Sequence, residues 1–145
     1  MNLGFYVGSM SPEKGSNQKS FSALNAGLKD GELDDASVFY DNIDYNPIKT
    51  DFGMFNSTDI WYFTGNLVTT TLDATRHALE ATNKFKLHYL YNEDEVDVMS
   101  LIDVSNRTEI ITESAEDQKY LYRVTGKKPK LLEDFTVKSF SEVLK

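Results

Sequence analysis

The 145-residue chain has no cysteine, which excludes disulfides, thiol catalysis and zinc–thiolate sites. It has no run approaching the roughly twenty apolar residues that a membrane helix needs, so no membrane association is expected. The opening Met1-Asn2-Leu3-Gly4-Phe5 lacks the basic region and long apolar segment of a secretory signal. Together these absences point to the cytoplasm. Positive charge is also short, with 15 Lys and Arg against 23 Asp and Glu, a net charge of -8. A field of that sign repels phosphate backbones, so nucleic acid is not an expected partner. Histidine is limited to His77, inside a helical pattern, and His88, inside a strand pattern. No G-x-S-x-G elbow accompanies them, and each reads as a packed residue rather than a base.

What the chain does have is ordinary globular material, 40% hydrophobic and 26% charged. Leu3 to Val7 reads as a buried strand that stops at Gly8-Ser9. A loop rich in Gly and Ser then leads to a helix carrying Phe21, Leu24 and Leu28, with Ser16 or Asn17 as N-cap and Lys29-Asp30-Gly31 as its exit. Ser37 to Tyr40 is a second strand, followed by the polar turn Asp41 to Pro47 and a weak segment containing Ile48, Phe52, Met54 and Phe55. Asp59-Ile60-Trp61-Tyr62-Phe63 is aromatic and β-branched and is expected as a strand closed by Thr64-Gly65-Asn66. A helix is expected from about Leu67 to Asn83, with Leu72, Thr75, Ala78, Leu79 and Thr82 inward.

Further strands are expected at Lys86 to Tyr91, Glu109 to Thr112 and Pro129 to Leu132. Between them lie the acidic loop Asn92 to Glu95, a short helix from Val96 to Ile102, and a helix opened by Ser114 and closed by Gly126. A last helix carries Val137, Phe140, Val143 and Leu144. The alternation implies an α/β, Rossmann-like three-layer domain over residues 1–145, with a mostly parallel sheet of about five to six strands.

Ligands of such sheets bind beyond the carboxyl ends of the strands. The candidate ligand or anion residues are therefore Gly8, Ser9, Gly15, Ser16 and Asn17 in the first loop and Gly65 and Asn66 in a later one. Their spacing matches neither G-x-G-x-x-G nor the P-loop, and a flexible surface loop is the competing reading. Glu93, Asp94, Glu95 and Asp97 have oxygen ligands suited to a hard cation, but their spacing is not that of an EF-hand and a solvated acidic loop is favoured. No metal, cofactor or catalytic residue is assigned. Lys127, Lys128 and Lys130 form the one basic patch, read as a solvated helix exit. Tyr45, Phe52 and Phe55 fall in a stretch of poor periodicity and are the candidate partner surface, against a buried irregular connection.

The order of these pieces resembles the N-terminal, acceptor-side half of a GT-B glycosyltransferase of the large retaining family 4. The first strand, glycine-containing loop and helix of Leu3 to Leu28 are similar to the start of that half, and Asp59 to Asn83 resembles its strand followed by a long helix. The run of Thr108 to Thr112, Ser114 to Gly126, Lys130 to Leu132 and Glu133-Asp134-Phe135 is similar to its passage toward the second half. The resemblance implies a donor site on a C-terminal half, beyond Phe135, whose basic residues and E-x7-E motif this sequence does not contain. The Gly-Gly pair of the family's first loop is also absent, since Gly8 and Gly15 stand apart. A nucleotide sugar would then bind only with a companion chain. The expected function is a non-enzymatic protein-binding module with a protein partner, its small size and Asn-, Asp- and Tyr-rich style suggesting a viral accessory protein. The alternative is a glycosyltransferase subunit, and a third reading is a small-molecule binder using the Gly8 to Asn17 loop.

Overall fold

The computed structural model describes residues 1–81, 84–95 and 97–145. Thr82, the expected helix end at Asn83, and Val96 lie outside the described residues. Seven strands form one sheet: β1 (Asn2–Ser9), β2 (Asp35–Asn42), β3 (Gly53–Asn56), β4 (Gly65–Thr69), β5 (Phe85–Leu90), β6 (Glu109–Thr112) and β7 (Lys130–Leu131). The helices are α1 (Asn17–Lys29), α2 (Leu72–Glu80), α3 (Val98–Arg107), α4 (Ala115–Thr125) and α5 (Val137–Val143). Every strand pairing is parallel and the order is β3-β2-β1-β4-β5-β6-β7. This is the α/β, Rossmann-like class expected, with one strand more than the upper figure.

Parallel strands need crossovers, and these crossovers cover both faces. On one face Phe21 and Leu24 of α1 and Val137 and Phe140 of α5 pack on Leu3, Phe5, Val7, Val38 and Val68. On the other, Ala74 and Ala78 of α2 meet Tyr6, Phe39 and Leu67, while Leu101 and Val104 of α3 and Leu121 of α4 meet Tyr89 and Ile110. Successive residues of β1 thus serve opposite layers, as pleating requires.

One segment departs from the expected path. Asp59 to Phe63 is not a strand, because Ser57–Tyr62 is a 3-10 helix whose N-cap, Asn56, accepts from the Thr58 amide at 3.1 Å. Ile60 and Phe63, one 3-10 turn apart, are buried, while Tyr62 is 87% exposed. The strands in this region are β3 and β4 on either side, so Leu67 to Thr69 lies in the sheet and α2 begins only at Leu72, capped by Thr71. Gly65 is the residue that lets β4 start. Its φ is +125°, and a Cβ there would stand 2.6 Å from the Asn2 carbonyl oxygen.

Candidate functional site

The chain leaves β1 into α1 on one face and β4 into α2 on the other, so the connections diverge between these neighbouring strands. A crevice opens at their carboxyl ends, where doubly wound sheets hold ligands. Gly8, Ser9, Lys14, Gly15, Ser16 and Asn17 form one wall and Thr70, Thr71, Asn92 and Asp94 the other, around about 330 Å³. An adjoining recess of about 360 Å³ shares Gly15, Ser16, Asn92 and Asp94 and extends toward Glu113 and Ser114.

Asn17 shapes the first wall. Its buried amide donates to the carbonyls of Ser9 at 2.7 Å and Ser11 at 2.9 Å, closing the loop on itself. Ser9 donates its hydroxyl to Asp44 at 2.5 Å and accepts the Ser11 amide at 3.0 Å. Gly15 turns the chain with φ +53°. Ser16 holds the N-cap position, yet its side chain makes no capping bond, and the first turn of α1 carries no acidic residue. The loop is therefore tied down by hydrogen bonds.

The second wall is more acidic. Thr71 caps α2 by accepting the Ala74 amide at 3.0 Å, and Glu95 reaches over to accept the Leu72 amide at 2.8 Å. A carboxylate thus already occupies the start of α2. Tyr89 lies buried beneath, its hydroxyl accepting the Asn92 amide at 3.4 Å, and burial raises its pKa. The crevice as a whole presents hydroxyls, amides, one lysine and one aspartate. That mixture suits a neutral polyhydroxylated ligand better than a bare phosphate, whose charge Lys14 would meet while Asp94 opposed it.

A polar constellation that the sequence did not announce sits beside this edge. The Tyr6 hydroxyl lies 2.7 Å from Asp41 Oδ1 and 2.7 Å from His77 Nδ1. A carboxylate only accepts, so Tyr6 donates to Asp41 and its oxygen accepts from an Nδ1–H of His77. Burial, then the Asp41 bond, raises the Tyr6 pKa, which makes the phenol a fixed neutral donor. Three residues 35 and 36 positions apart carry no sequence spacing that could have revealed them.

Of the residues expected to hold a ligand, Gly8, Ser9, Gly15, Ser16 and Asn17 converge on the crevice. Gly65 and Asn66 do not, because they begin β4 at the opposite edge of the sheet, paired with Phe85 and Lys86. The expected partner surface divides as well. Tyr45 is 83% exposed and Phe55 42%, but Phe52 is buried, its ring 5.4 Å from that of Phe21. Phe52 is core because it closes the layer over α1. Around Tyr45 and Phe55 the structure adds Ile43, Met54, Trp61 and Tyr62, all exposed. Trp61 and Tyr62 reach solvent because the 3-10 helix turns them out. Met54 and Phe55 lie on β3, the outermost strand at that end of the sheet, Trp61 and Tyr62 on the 3-10 helix that leaves it, and Ile43 and Tyr45 on the segment that follows β2.

Among the described residues, no group of three or more His, Asp or Glu is placed to hold a metal ion, and no helix is long and apolar enough to cross a membrane. No protein family, curated protein or solved structure matches this chain.

Proposed function

We propose that the chain is a non-enzymatic protein-binding module that receives its partner along the β3 edge. One observation carries this reading: Ile43, Tyr45, Met54, Phe55, Trp61 and Tyr62 are all exposed within twenty residues that form or flank an edge strand. An unpaired edge offers a row of backbone donors and acceptors, and proteins ordinarily blunt it with charge or proline. Here it carries Gly53-Met54-Phe55-Asn56 instead. A recess of about 350 Å³ lined by Phe39, Phe55, Tyr62 and Phe63 and rimmed by Asp35 and Asp59 gives an anchor with an apolar stem and a basic tip a place to sit. The partner chemistry that fits is an extended segment with alternating apolar side chains, added as an eighth strand.

Selection from a displayed peptide library tests this directly. Enrichment of extended, alternating apolar sequences is expected, with affinity falling at least tenfold for Met54→Lys/Phe55→Lys. No enrichment, or equal binding by the double variant, would overturn it.

A second reading, the acceptor-binding half of a glycosyltransferase that needs a companion chain for its nucleotide-sugar donor, is favoured by the hydroxyl- and amide-lined crevice. Sugars rather than nucleotides should then raise the melting temperature, and Asn17→Ala should reduce that shift. A panel of sugars without effect removes this reading.

A further inference from the structure

The geometry points to a binding site for a compact polyphosphate at the amino edge of β5, β6 and β7, remote from both the crevice and the β3 edge. A recess of about 660 Å³ there is lined by Lys86, Arg107, Lys127, Lys128 and Lys130, with Glu109 the single carboxylate among its lining residues. Five of the chain's 15 cationic side chains thus meet at one cavity, in a molecule whose net charge is -8. The sequence shows only the three lysines near Gly126. Folding brings Lys86 from β5 and Arg107 from the end of α3 beside them.

The simplest explanation of such a cluster is that it neutralises helix C-termini, and part of it does. Lys86 donates to the Leu144 carbonyl at 3.1 Å, Lys130 to Val143 at 2.8 Å and Lys127 to Ser105 at 3.1 Å. Lys130 also pairs with Glu109 at 2.7 Å, and Arg107 stands 3.5 Å from Asp103. The charges still do not balance. Five cations against Glu109 and Asp103 leave three positive charges. The ends of α3, α4 and α5 return about half a negative charge each, so roughly one and a half remain uncompensated. Glu109 is already engaged by Lys130 and by His88 Nε2 at 2.9 Å, and Arg107 and Lys128 are exposed at the mouth.

The size and the wider field select the ligand. The volume is that of a small-molecule site. A long polyanion would extend past the basic rim into the field of an acidic protein, whereas a compact one stays within about 8 Å of the cations at physiological salt. Lysines supply point charges and Arg107 a planar fork, the pair of donors that phosphates take.

Calorimetric titration with inorganic tripolyphosphate at low salt tests the site. The native chain should bind it. Arg107→Ala/Lys128→Ala should bind at least tenfold more weakly, while Lys29→Ala/Lys49→Ala, which removes the same charge from exposed positions outside the recess and the crevice, should change affinity less than twofold. No binding by the native chain, or equal losses in the two double variants, overturns the proposal. Binding of a polyglutamate peptide but not of tripolyphosphate would overturn it as well. Should the first double variant not fold, acetylation of the native chain read by mass spectrometry decides. Protection of Lys127 and Lys128 by tripolyphosphate supports the site, and unchanged labelling refutes it.

Discussion

Phe52 and Tyr45 are alike in the sequence, two aromatic residues in a stretch without periodicity, and opposite in the fold. Phe52 packs on Phe21 in the core and Tyr45 stands in solvent. Phe52→Ala should therefore cost about 3–5 kcal/mol in urea unfolding, while Tyr45→Ala stays within about 0.5 kcal/mol. Nothing local separates them, because burial here depends on which connection folds over α1. His88 shows a second property hidden from the sequence. It is fully buried on β5, donates from Nε2 to Glu109, and leaves Nδ1 without a partner. Burial, aided by the Lys130 charge, lowers its pKa to about 4. The unfolded chain therefore binds this proton more readily, and stability falls as pH drops from about 6.5 to about 4. Between pH 7 and 5 the loss should be about 2 kcal/mol. Glu109, held below the usual carboxylate range by Lys130, adds its own loss only at more acid pH. His88→Gln should flatten the slope above pH 5. An unchanged slope would place the titration elsewhere.

Elements defined by their own ends were legible, and those defined by neighbours were not. Ser114 accepts the Asp117 amide at 3.1 Å and Gly126 closes α4 at φ +77°, as the sequence implies. The same holds for β1, α1 and β6, whose apolar runs or helical spacing coincide with local stop signals. Asp59 to Phe63 misled because aromatic and β-branched residues mark a pleated, half-buried surface only when a neighbouring strand provides one. Here Asn56 caps a 3-10 turn instead, and the adjacent strand carries Gly65-Asn66, which reads as loop until the close approach of Asn2 is known. The two arrangements differ in which residues they hide. A strand would bury Ile60 with Tyr62, and the 3-10 helix buries Ile60 with Phe63. Phe63→Ala should therefore cost about 3–5 kcal/mol, given its ring contacts with Phe39 and Phe85, while Tyr62→Ala is close to neutral. Chemical denaturation of the two variants separates these outcomes. For the crevice, the same division holds: the Gly8 to Asn17 wall was visible as a loop, whereas Thr70 and Thr71 were hidden inside an expected helix.

At the scale of the whole molecule, charge and apolar surface are distributed unevenly over one sheet. The β3 end carries exposed aromatics, the amino edge of β5 to β7 carries the cations, and the net charge is -8. Two copies at neutral pH and low salt repel each other, which opposes contact between their β3 edges. Salt removes that barrier while leaving the apolar contribution in place. The Debye length falls from about 10 Å at 0.1 M to about 3 Å at 1 M. Sedimentation velocity should accordingly show a monomer at 0.1 M sodium chloride and concentration-dependent self-association at 1 M. Met54→Lys/Phe55→Lys should remain monomeric at both, because lysines on an edge strand oppose edge-to-edge pairing by their hydration as well as their charge. The Arg107→Ala/Lys128→Ala variant, altered at the far end of the sheet, should associate as the native chain does. Association that survives the β3 substitutions would locate the self-adhesive surface elsewhere, with exposed Tyr120 and Tyr122 of α4 the next apolar residues to replace.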